Sequence, residues 1–156
     1  MKAMPIIAAL ALAATAAMAQ PAAVQVQQPW SRPAAAGTTG AGYMTLVNRA
    51  SRPETLVRVE TPWAERVEMH SSSMAGGVMR MARQDSVVVP AGGQTAFAPG
   101  GYHLMFIKLA RPLKTGDRLP ATLTFASGAK VKTEFAVGAG FGPPAADPHA
   151  GMRMKR

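Results

Sequence analysis

The sequence predicts an all-β fold, a sandwich or barrel of short strands, on three observations. Short runs of Val, Leu, Thr, Phe and Met recur at close spacing through the middle of the chain. Gly- and Pro-bearing turns separate them, at Ala75-Gly76-Gly77, Pro90-Ala91-Gly92, Pro99-Gly100-Gly101 and Ser127-Gly128. No stretch after Gln20 keeps a helical apolar period over several turns, which excludes a helical bundle. Many short strands between turn signals are the pattern of a sandwich or barrel.

The chain has 156 residues, enough for one domain with a real core. Residues 1–19 read as an export leader to be removed: Lys2 is the positive start, Pro5 to Ala16 the apolar stretch, and Ala17-Met18-Ala19 the cleavage signature. The apolar stretch is short for a membrane span, which takes about 20 residues. No Cys follows it to accept a lipid, so the expected product is a soluble periplasmic protein. Residues 20–36, rich in Ala, Pro and Gln, read as an extended lead-in. Residues 37–138 read as the domain, with strands expected at Tyr43–Asn48, Glu54–Thr61, Arg66–Ser71, Val78–Gln84, Ser86–Val89, Gln94–Ala98, His103–Leu109, Ala121–Ala126 and Lys130–Val137. Ser127-Gly128 predicts a tight hairpin between the last two. Residues 139–156, with Gly140, Gly142, Pro143, Pro144, Pro148 and Gly151, read as a disordered tail.

The formal charge is +9, and removing Lys2 leaves +8. Such a balance often signals nucleic acid, but the basic residues are scattered apart from Arg153, Lys155 and Arg156. With export, the charge reads as a solvated basic surface or as steering toward an acidic partner. No nucleic acid and no membrane span are expected, and the chain reads as a monomer.

Two histidines and two methionines carry the chemistry. They run His70, ten residues, Met81, twenty-one residues, His103, one residue, Met105, in a chain without Cys. Imidazole and thioether are neutral donors, and thioether favours Cu(I) over harder cations. A thiolate would bind more tightly, but outside the cytoplasm it is prone to oxidation. On a strand, residues i and i+2 share a face, so His103 and Met105 converge while Leu104 turns away. Met79 and Met81 form a second such pair, of which only one need be a ligand. The Gly76-Gly77 turn predicts a hairpin that returns Met81 toward His70, and Pro99-Gly100-Gly101 sets His103 at a strand start, near the rim. Met44, Met69, Met74 and Met79 read as packing or loop residues, and Ser71 to Ser73 as a polar loop.

The segments Glu68-Met69-His70, Gly77-Val78-Met79-Arg80-Met81, Pro90-Ala91-Gly92 and Pro99-Gly100-Gly101-Tyr102-His103-Leu104-Met105 resemble the PCuAC family of periplasmic copper chaperones. The chain matches that family's H-x10-M-x21-H-x-M pattern without a gap. Trp30, Gly42-Tyr43-Met44-Thr45-Leu46 and Arg111-Pro112-Leu113-Lys114-Thr115-Gly116-Asp117 extend the likeness from about Gln28 to Val137. The resemblance implies a cupredoxin-like Greek-key sandwich in which His70, Met81, His103 and Met105 hold Cu(I). It also implies delivery to a copper-bearing cytochrome c oxidase subunit or its assembly factors, at the Cu(A) centre. Some family members bind further copper through a His- and Met-bearing extension. His149, Met152 and Met154 resemble it, as a second site for Cu(I) or Cu(II).

Other classes fit less well. A blue-copper electron carrier needs a Cys thiolate, and a histidine brace needs an N-terminal His where this chain would begin at Gln20. No hydrolytic triad can be assembled, so no enzyme is expected. The alternative of the same chemistry is a periplasmic copper buffer or tolerance protein without a dedicated recipient.

Overall fold

Alternation of apolar and polar side chains decides which face of each strand is buried. In Arg118–Phe125, for example, Leu119, Ala121, Leu123 and Phe125 point inward while the residues between them are exposed or half-buried. The computed structural model describes residues 23–138. The leader (1–19) and the tail (139–156) lie outside the described residues. Ten strands follow one another: β1 (Val24–Ser31), β2 (Gly40–Asn48), β3 (Glu54–Glu60), β4 (Ala64–Ala75), β5 (Val78–Gln84), β6 (Val87–Val89), β7 (Gln94–Phe97), β8 (Tyr102–Leu109), β9 (Arg118–Phe125) and β10 (Lys130–Val137). Among the described residues there is no helix, and so none long and apolar enough to cross a membrane.

The strands form one continuous sheet in the order β5-β4-β8-β7-β2-β1-β10-β9-β3-β6, with β8 also reaching β2. The β1–β10 and β7–β8 pairs are parallel, and the rest are antiparallel. The sheet folds over on itself, so that Met69, Leu104 and Phe106 from one half share a core with Leu56, Leu119, Leu123 and Phe135 from the other. Phe106 of β8 meets Phe135 of β10 edge-on, ring centres 5.6 Å apart.

The structure differs from the sequence reading at three instructive places. Val24–Ser31, within the segment read as lead-in, is β1, which bridges β2 and β10 inside the sheet. Pro29 argues against a strand in sequence, but here it sits at a bulge. The β1–β2 register slips between Gln27 and Trp30, with Gln28 at a φ of 47°. Pro120 is likewise inside β9, where the expected strand begins one residue later. Past Thr122 the β3 partner has ended, so the missing N–H falls on a local edge. Finally, Ser71–Ser73 is strand rather than loop, because β4 runs on to Ala75 and pairs with β5 around the Gly76-Gly77 turn. Both glycines have positive φ, 59° and 75°, as a two-residue hairpin turn of the I′ kind requires.

Gly42 is where β2 passes closest to the core. A Cβ there would lie 2.7 Å from two atoms of the fully buried Phe106 ring. A Gly42→Ala chain is therefore expected to lose roughly 1–3 kcal/mol of stability through overpacking. Urea denaturation reads this directly, and an unchanged midpoint would show that the ring has room to move.

Candidate metal centre

Register brings the two histidines together. In the β4–β8 pair His70 stands directly opposite His103, Met69 opposite Leu104, and Glu68 opposite Met105. Cross-strand partners share a face. Met69 and Leu104 therefore turn into the core, while His70, His103, Glu68 and Met105 share the outer face of the sheet. The two imidazoles lie nearly parallel, 5.8 Å apart and 28° from coplanar. His103 is buried, and the His70 side chain is mostly so, at 17% exposed.

Each ring is held by one nitrogen. His103 Nδ1 donates to the Gly101 carbonyl at 3.1 Å, and the same oxygen accepts the Ser72 N–H at 3.0 Å. One peptide of the Pro99-Gly100-Gly101 turn thus fixes both the ring and the neighbouring strand. His70 Nε2 lies 2.9 Å from Glu68 Oε2. The Glu68 carboxyl is held down to about 2 by the hydrogen bond from His70 and by a second from Arg66, with Arg83 adding a further positive charge. It is ionised at neutral pH and only accepts, so the His70 proton sits on Nε2. A carbonyl also only accepts, which puts the His103 proton on Nδ1.

The remaining two ring nitrogens, His70 Nδ1 and His103 Nε2, are the buried side-chain polar atoms without a partner among the described residues. Buried nitrogens bearing lone pairs cost stability unless something occupies them. Among the described residues no three His, Cys, Asp or Glu side chains gather as a metal site. The histidine pair offers two nitrogen donors, and the neighbouring side chain suited to add a soft donor is a thioether. Met105, two residues along β8 from His103 and half-buried, is on the same face. That donor set suits a soft monovalent ion and needs no deprotonation of sulfur.

The Gly76-Gly77 turn brings Met81 back along the face of His70, one step short of standing opposite it. The β4–β5 hairpin forms, but Arg83 faces His70, while Met81 pairs with Ser72, one same-face step further out. Its side chain is 59% exposed. Met81 therefore shares the face of the histidines without being packed among them. Of the methionines read as packing, Met44 and Met69 are buried in the core, whereas Met74 and Met79 stand exposed on the hairpin. Sequence reading also passed over Glu68 as a functional residue. The Glu-x-His spacing, which puts a carboxylate on the imidazole's own side of a strand, was the available signal. His149, Met152 and Met154 lie outside the described residues.

Because the Glu68 carboxyl is depressed in the folded chain, its contribution to stability is complete above its ordinary value of 4.5 and is lost as pH falls toward about 2. Glu68→Gln should flatten that part of the acid-side decline. Urea melts of the metal-free protein across this range check it, and identical slopes in the two chains would contradict the assignment.

Residues 24–137 match the model of the family described as "Putative lipoprotein LpqE-like". A relative of that kind in Leifsonia xyli, "Putative lipoprotein Lxx21020", is 31% identical over 106 residues, covering 67% of this chain and 63% of the relative. The match thus spans less than two thirds of the relative's length. Among solved structures, the copper-bound PCuAC domain from PmoF2 aligns at 27% identity with a TM-score of 0.64, covering 76% of this chain and 95% of that domain. The Cu(I) form of DR1885 from Deinococcus radiodurans aligns at 32% identity with a TM-score of 0.53, covering 80% and 85%. The fold is that of the cupredoxin-like PCuAC domains, and the chain belongs to the LpqE-like family.

Proposed function

We propose that this chain is a copper chaperone that binds Cu(I) as cargo and releases it by ligand exchange. The observation that carries the reading is a pair of buried nitrogens, His70 Nδ1 and His103 Nε2, that have no partner among the described residues and sit on register-paired rings beside Met105. In this reading the two imidazoles and Met105 form the fixed part of the site. Met81 is the fourth ligand, swinging in from its exposed position on β5. Four neutral donors around a +1 ion hold it without a large charge-burial penalty. The copper-bound PmoF2 domain and Cu(I)-loaded DR1885 support the choice of metal, since both share this fold.

The finer parts of the proposal follow from this chemistry and from the sequence. The working compartment is the periplasm, reached through a leader cleaved after Ala19. The family is named for lipoproteins, which fits an exported protein. The recipient is a copper-bearing oxidase subunit or its assembly factor at the Cu(A) centre, and the protein acts as a monomer without catalysing a reaction. The tail residues His149, Met152 and Met154 are a candidate second copper site.

A Cu(I) titration against a competing chromogenic chelator tests the primary site. The chain from Gln20 should take one tight equivalent, and His70→Ala, His103→Ala or Met105→Leu should each weaken it by about tenfold or more. Near-wild-type affinity in all three would overturn the assignment. A parallel chain ending at Gly138 reports on the tail, which adds an equivalent only if it is a second site.

A further inference from the structure

The outer end of the β4–β5 hairpin carries a feature that the four-residue site does not use. β8 stops pairing with β4 at Ser71, so β4 and β5 continue past it as a two-stranded ribbon. Four of the six exposed large apolar side chains among the described residues crowd onto its tip: Met74, Val78, Met79 and Met81. The three methionines are not scattered around it. Met74 is the direct cross-strand partner of Met79, and Met81 is two residues along the same strand. Register puts all three on the face that bears His70 and His103, while Val78 and Arg80 take the other face.

A row of thioethers turned to water is poor packing and a good soft-metal surface. Directly paired residues hold their Cβ atoms about 5 Å apart and diagonal neighbours about 7–8 Å, within the reach of unbranched side chains with three rotatable bonds. The residue opposite Met81 is Ser72, which is small and stands between His70 and Met74 on that face. Met81 is thus free to lean toward the tip or toward the histidines.

We propose that Met74, Met79 and Met81 form a second, all-thioether site for a soft monovalent metal ion at the tip of the ribbon. Met81 is common to this site and to the histidine site. An ion captured by three thioethers at the tip keeps Met81 as it moves inward. It exchanges Met74 and Met79 for His70, His103 and Met105, and leaves by the reverse order. No proton is released or taken up at sulfur, and the metal keeps its oxidation state throughout. The entry role rests on the proposed copper site; binding at the tip does not.

The probe is Ag(I), soft, monovalent and inert to redox. It is titrated into the chain from Gln20 to Arg156 carrying carbon-13 methionine methyls, each signal assigned by single Met→Leu replacement. Shifts of the Met74 and Met79 methyls together with Met81 are expected, and they should persist in a His70→Ala/His103→Ala chain. Silent Met74 and Met79 methyls alongside responding histidine rings and Met105 would overturn the tip site and leave the primary site standing. Silence at both places would overturn both. As a kinetic check, Met74→Leu/Met79→Leu should slow metal uptake from a chelator by about tenfold through loss of a tethered donor set. Its final affinity at the histidine site should stay unchanged. Uptake at the wild-type rate would contradict the entry role.

Discussion

The pairing of β4 with β8 is the constraint on which the rest of this molecule depends. Met69, Leu104 and Phe106 seat one face of that pair in the core, and their burial fixes the register. A slip by one residue would turn every side chain to the opposite face. The same register places His70 opposite His103 on the outer face, so core packing on one side of the sheet sets the spacing of donors on the other. The Gly101 carbonyl adds a local lock, holding the His103 ring and the β4 backbone from a single oxygen.

The candidate centre is therefore built in two parts with unlike support. The inner part is the histidine pair, whose protons are assigned by acceptors that can only accept: the Glu68 carboxylate, itself held by Arg66, and a backbone carbonyl. Hydrogen bonds of this kind orient a metal-binding imidazole and settle which nitrogen is left free. The outer part is a ribbon of exposed thioethers with no such supports. In the proposed function this asymmetry suits transfer. A buried, hydrogen-bonded half gives the ion a defined position, and an exposed half lets a partner's ligands replace Met81 without disturbing the core.

Much of this was legible in the sequence because it rests on period two and on turn chemistry. His103-Leu104-Met105 divides into outward and inward residues by alternation alone. Gly76-Gly77 and Pro99-Gly100-Gly101 mark the turns that bring the strands back. Other features were hidden because a local rule was overridden by pairing. β1 was obscured by Pro29, which a bulge accommodates, and Ser71–Ser73 looked like a loop because three successive polar residues show no apolar alternation, although they are paired with β5. The exact partner of Met81 depends on where the hairpin turn closes, and a two-residue shift in that register separates Arg83 from Met81 as the neighbour of His70. The exposure of Met74 and Met79 could not be read from composition, since Met is more often a core residue and only position on the hairpin leaves these two outside.

Long-range proton–nitrogen spectra of the imidazoles, recorded with and without one equivalent of Ag(I) or Cu(I), test the account most directly. The metal-free protein should show His70 protonated at Nε2 and His103 at Nδ1. On loading, the large nitrogen shifts should fall on His70 Nδ1 and His103 Nε2, the two buried side-chain atoms without a partner among the described residues. Shifts confined to the opposite nitrogens, or rings unmoved by a tightly bound ion, would contradict it.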